Sequence, residues 1–121
     1  MAYKPTGRPV GRPKVFNEEE IPLSVVKVVS ALCADLPRRE KIIKTGDRTD
    51  KKTIDAYKRL NDLIYSAFAE TEESLRGVFL ADIADNRGYG QSAAARVMSY
   101  KAFYNRKRQI VCKIARVLDL I

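Results

Sequence analysis

Residues 91–121 read QSAAARVMSYKAFYNRKRQIVCKIARVLDLI, and the run from Tyr100 to about Leu118 sorts into two sides at helical spacing. Phe103, Ile110, Val111, Ile114 and Leu118 fall on one side. Lys101, Ala102, Asn105, Gln109 and Arg116 fall opposite, with Arg106 and Arg108 on the flanks. Lys107 points toward the apolar side, so its ammonium is expected to snorkel outward. Ser99 precedes the run and is suited to cap it, because its hydroxyl can accept from a backbone N–H that has no helical partner. Before it, Gln91 to Val97 is rich in alanine and reads as a short helix. Small residues at Ala93 to Ala95 would let two helices cross closely. A short helix, a capped turn and a longer basic helix form the plan of a helix-turn-helix.

Upstream, the apolar spacing predicts four further helical stretches and no strand, so the expected fold is all-α, with about five or six helices. The first starts near Asn17 with Glu18 to Glu20, or at Pro22, and Val25, Val26, Val28, Val29, Leu32, Cys33 and Leu36 recur along it at helical spacing. Asp35 is placed to cap a second, with Pro37 in its first turn, and Gly46 to end it. Asp50 is placed to cap a third, carrying the stripe Ile54, Tyr57, Leu60, Ile64 and Phe68. Thr71 is expected to cap a fourth, with the stripe Leu75, Val78, Phe79 (or Leu80) and Ile83, stopped by Gly88-Tyr89-Gly90.

Residues 1–16 hold Pro5, Pro9, Pro13, Gly7 and Gly11, a spacing that breaks any regular element and predicts a flexible, disordered arm. The division expected is therefore an arm at 1–16, a helical body at 17–90 and a helix-turn-helix segment at 91–121. Of the net charge of +8, the arm carries +4, residues 91–121 carry +6, and the body is left with −2. Two basic ends on a mildly acidic body suit a polyanion, and duplex DNA is the one most often met by such a pattern. A solvated basic surface has the same composition. Gly7-Arg8-Pro9 and Gly11-Arg12-Pro13-Lys14 are similar to the core of an AT-hook, which would place Arg8, Arg12 and Lys14 in a narrow minor groove. Thr6 and Val10 stand where the full hook has a basic residue, so the arm would act as an auxiliary contact.

The chain has no histidine, which removes Ser-His-Asp and Cys-His nucleophile systems and the commonest metal ligand. Cys33 and Cys112 lie far apart without metal-ligand spacing and read as two reduced thiols. Asp82 and Asp85 share a helix at i, i+3 with no third ligand near, and read as solvated carboxylates. The expectation is a protein that is not an enzyme and takes no cofactor. The N-terminus has no secretory leader and no run of about 18 apolar residues occurs, which predicts no membrane association and a cytoplasmic location.

The stretch from Leu75 to Leu120 resembles the phage-encoded late-operon transcriptional regulators of the ArpU and RinA type and, more distantly, region 4 of bacterial sigma factors. The likeness lies in Ser99, Phe103, Tyr104, Arg106 to Arg108, Ile114-Ala115 and Leu118; Val97 stands where related turns often carry glycine. It implies a sequence-specific DNA-binding regulator of late gene expression in a bacterial host cell. In that reading Lys101, Ala102, Asn105, Arg106, Arg108 and Gln109 face DNA, and the body self-associates or contacts host RNA polymerase. A phage terminase small subunit combines the same features, with a Gly-Arg-Pro-rich leader in some cases. A helical adaptor that binds no DNA is the third alternative.

Overall fold

The computed structural model of the chain describes residues 21–46 and 49–121. Among them there are five α-helices and two 3-10 turns, and no strand. The helices are α1 (Leu23–Ala34), α2 (Leu36–Thr45), α3 (Lys51–Ser66), α4 (Glu73–Ala84) and α5 (Tyr100–Val117). The 3-10 turns, Tyr89–Gln91 and Ala93–Arg96, lie between α4 and α5. The all-α architecture expected from the apolar spacing is the one observed. Arg8, Arg12, Lys14 and the Asn17 start lie outside the described residues; Pro22 directly precedes α1.

Helix ends follow local chemistry, with three departures. The Asp50 carboxylate accepts from the Thr53 N–H at 3.0 Å and starts α3 as expected. Gly46 ends α2 in the left-handed region, at φ 63°, with its N–H on the Ile42 carbonyl. Asp35 caps nothing with its side chain; its carboxylate turns instead to the Arg38 guanidinium at 2.7 Å. Thr71 is not the cap of α4 either. It is buried, and Glu72 takes the cap position without a side-chain bond. The stop of α4 comes before the glycines. Asn86 takes a left-handed φ of 53°, and the Arg87 N–H reaches back to the Asp82 carbonyl at 2.8 Å. Asp119, at φ 57°, ends α5 in the same way, with the Leu120 N–H on the Ala115 carbonyl.

Helix α1 packs chiefly on α4, and α2 on α3. Helix α5 closes the assembly against α1, α3 and α4. Val29, Ile64, Phe79, Ile83, Phe103, Ile110 and Ile114 meet at the centre and are fully buried. One buried cation ties the first three helices together. The Arg39 guanidinium donates to the Asn61 side chain and to the Leu32 carbonyl, both at 2.7 Å. Cys33 and Cys112 are buried, and burial pushes the Cys33 thiol up to about 11. Among the described residues, no helix is long and apolar enough to cross a membrane.

Candidate nucleic-acid interface

The corner that positions α5 is built from aromatic rings and backbone carbonyls. Phe103 is stacked on Phe79 of α4 at 5.5 Å between ring centres, and Tyr89 meets its ring edge-on at 5.6 Å. Tyr100 and Tyr104 continue the cluster, edge-on to each other at 4.8 Å. The Tyr89 hydroxyl donates to the Met98 carbonyl at 2.8 Å, and the Tyr89 N–H donates to the Tyr104 oxygen at 3.2 Å. The approach is close at Gly88: a Cβ there would sit 3.1 Å from the Tyr104 oxygen, so the tyrosine would have to give by a few tenths of an ångström. Ser99 caps α5 as expected, accepting from the Ala102 N–H at 3.2 Å.

The segment before α5 differs from its expected form. Gln91 to Val97 makes no α-helix; it is occupied by the end of one 3-10 turn and all of the other. Ser92 caps the second, accepting from the Ala94 N–H at 3.0 Å while its hydroxyl donates to the Asp82 carboxylate. Of the three small residues expected to let two helices cross, Ala94 is wholly buried, Ala95 half-buried and Ala93 exposed.

Asp82 is therefore no solvated carboxylate. It is 0% exposed, held by Ser92, with the Arg87 guanidinium 3.9 Å from its second oxygen. It shares no metal-binding group with Asp85: no cluster of three or more such side chains occurs among the described residues. The expectation for Lys107 is overturned in the same region. Its side chain runs inward, is 5% exposed, and its ammonium donates to the Arg87 carbonyl at 2.8 Å. Burial lowers its pKa from the ordinary 10.5, and the nearby Asp82 carboxylate works against that shift. The bend at Asn86 exposes this carbonyl to Lys107, and sequence spacing alone does not reveal the bend.

The remaining basic side chains of α5 divide. Arg106 is half-buried and donates to the Glu70 carbonyl at 3.1 Å, with the Glu72 carboxylate 3.7 Å away. Lys113 pairs with the Glu70 carboxylate at 2.8 Å and, with Arg106, holds that carboxyl below its ordinary range. Lys101, Ala102, Asn105 and Gln109 are exposed and follow one strip along the first three turns of α5, with Arg108 half-buried beside it. The strip does not run on to Arg116. Cys112, which shares its side of the helix, is buried. Of the six positions expected to face DNA, four thus share the exposed strip, Arg108 borders it and Arg106 is turned to the α3–α4 junction.

Three exposed residues escaped the sequence reading. Arg96, Val97 (67% exposed) and Tyr100 (49% exposed) lie at the corner next to Lys101. Arg96 and Val97 sit where the chain was expected to continue a short helix, and Tyr100 opens the long one without having been assigned to either of its sides. The Arg96 charge beside the Ser99 cap was the one usable signal.

The chain matches no family model, no curated protein and no solved structure.

Proposed function

We propose that the protein binds duplex DNA sequence-specifically through the exposed strip on the first half of α5, and acts as a transcription regulator. The observation that carries this reading is the pairing of a rigid corner with a polar strip. Lys101, Asn105 and Gln109 project from a helix whose other sides are fixed by the aromatic cluster, Arg106 and Lys107. Asn and Gln can bond adenine at two points, and Lys can donate to guanine or phosphate. A helix start presented on such a corner reaches deepest into a major groove. No acidic residue occurs in α5, so nothing on the helix itself repels the phosphates. The resemblance to phage late-operon regulators extends the reading to late gene expression in a bacterial host.

The test is a specificity profile of the Asn105→Ala variant, taken from a selected pool of duplexes and set beside its melting curve. Loss of about 1–3 kcal/mol against the selected site, with relaxed preference at one or two base pairs, supports the reading. An unchanged profile from a folded variant places the reading surface elsewhere. Binding by the unaltered chain must also weaken steeply as salt rises.

A further inference from the structure

The exposed strip on α5 is narrow in its chemistry. Its members are Lys101, Ala102, Asn105 and Gln109, and no hydrogen bond or ion pair joins the side chains of Lys101, Asn105 or Gln109 to another described residue. The usual readers of a G·C pair are missing from it. Guanine is read most often by a bidentate arginine, and cytosine by a carboxylate that accepts from its N4 amino group. Arg106 is turned to the Glu70 carbonyl. Arg108 is half-buried at the border of the strip and has an interaction of its own. Arg116 lies beyond the strip, and Arg96 stands off the helix, on the 3-10 turn before the Ser99 cap. Helix α5 contains no acid. Glu70 and Glu72, along one flank of the helix, are paired with Lys113 at 2.8 Å and Arg106 at 3.7 Å.

What remains matches adenine and thymine. The carboxamides of Asn105 and Gln109 each carry a donor and an acceptor, the complement of N7 and the N6 amino group of adenine. Ala102 lies nearly one turn before Asn105 on the same side and exposes a methyl group, which suits the C5-methyl of thymine. Asn105 and Gln109 stand one turn apart, about 6 Å along the axis, so they fall on different base pairs, whose spacing is about 3.4 Å. Lys101 is a single point charge at the helix start, suited to a phosphate or to one guanine at the edge of the footprint.

We infer that the strip reads A·T base pairs from the major groove, with Asn105 and Gln109 on adenines of separate pairs and Ala102 against a thymine methyl. This rests on the DNA-binding reading proposed for α5. The two amides are neutral. Raised salt should therefore lower affinity for every duplex while leaving the ratio between preferred and altered sites nearly unchanged.

The experiment takes the site selected by the full chain from a random duplex pool and replaces its bases one at a time with analogues. 7-Deazaadenine keeps the base pair and removes N7; uracil in place of thymine removes only the C5-methyl. Both changes lie in the major groove. The expected result is a site dominated by A·T pairs, weakened on the order of tenfold by 7-deazaadenine at two separate positions. Asn105→Ala should be indifferent to the analogue at one of these positions and Gln109→Ala at the other, each keeping the parent's response elsewhere. Uracil should weaken binding about fourfold at one thymine, the worth of one buried methyl group; no effect of uracil at any position overturns the Ala102 contact. Both variants replace an exposed, unbonded side chain with a stronger helix former, so neither should melt below the parent. A selected site dominated by G·C pairs overturns the inference and leaves the DNA-binding reading standing. A preference for A·T that is untouched by the analogues also overturns it, because the pairs are then read from the minor groove, as the Gly-Arg-Pro units of residues 7–14 would do. Absence of any sequence preference, or of binding at low salt, removes both readings.

Discussion

Arg106, Lys107 and Lys113 lie on the same helix as Lys101, Asn105 and Gln109, yet the two sets end in different surroundings. The first set terminates on the protein itself: the Glu70 carbonyl, the Arg87 carbonyl and the Glu70 carboxylate. The second ends in solvent. The difference teaches that a count of basic residues overstates the charge a helix can offer a partner. Of the seven basic residues between 91 and 121, at least three are already engaged in holding α5 to the rest of the molecule. The contrast also separates two kinds of variant: the inner set should govern stability, the outer set should govern binding.

The strongest test of that division is Phe103→Ala, which removes the ring at the centre of the aromatic corner. It should destabilise the protein by about 3–5 kcal/mol in a denaturant titration, because it empties a fully buried position. A loss near that expected of a surface change would mean that α5 is not anchored there.

Lys107→Met sharpens the comparison within the inner set. The Arg87 carbonyl loses its donor and Asp82 loses a nearby cation, which should cost about 1–3 kcal/mol. The native state should also lose a pH response. The pKa of Lys107 is lower in the folded chain than in the unfolded one, so between the two values the unfolded chain holds the extra proton. In that window, which ends near the ordinary 10.5, this group makes stability rise with pH. Cys33 acts in the opposite sense, from its ordinary 9.0 up to about 11, so the two must be separated by comparing Lys107→Met with the parent. An identical alkaline profile in the two proteins would falsify the buried placement.

Removal of the caps should have a smaller effect. Ser99→Ala and Asp50→Ala should each lower stability by about 0.5–2 kcal/mol, through loss of one helix-starting bond. Only Ser99→Ala should also weaken DNA binding, since it loosens the start of the strip. Equal binding losses in the two would merge what the comparison keeps apart.

The mildest effect is expected at Glu70. Its carboxyl is held below its ordinary 4.5 first by Lys113, so the stability it contributes is complete above that value and is lost as the pH falls through the lower folded-state value. The pair is exposed, and the contribution is correspondingly modest. Melting curves of the parent and Glu70→Gln should differ near neutral pH and converge in acid. Curves that stay parallel down to acid pH would show that Lys113 is not engaged.

Much of the architecture was legible before any coordinates. Asp50, Gly46 and Ser99 mark helix ends by chemistry that acts within four residues, and the structure keeps all three. The division of α5 into an apolar side with Phe103 and Ile110 and a polar side with Lys101 and Asn105 follows from the helical repeat alone. What depended on contacts between distant residues was not legible. Thr71 looks like a cap, but it is buried at the α3–α4 junction, close to Arg106. Asp82 looks like a surface acid until Ser92, ten residues on, is folded back onto it.

Local spacing thus determined the five α-helices, though not the 3-10 turns before α5, together with most of the helix ends and which side of α5 faces inward, because propensity, capping and periodicity act over a few neighbouring residues. Only the tertiary structure decided where the charges go. The left-handed turn at Asn86 brings the Arg87 carbonyl to Lys107, and the α3–α4 junction brings Glu70 to Arg106 and Lys113. A long cationic side chain can reach either water or a carbonyl, and the choice rests on which acceptors the rest of the chain delivers to it.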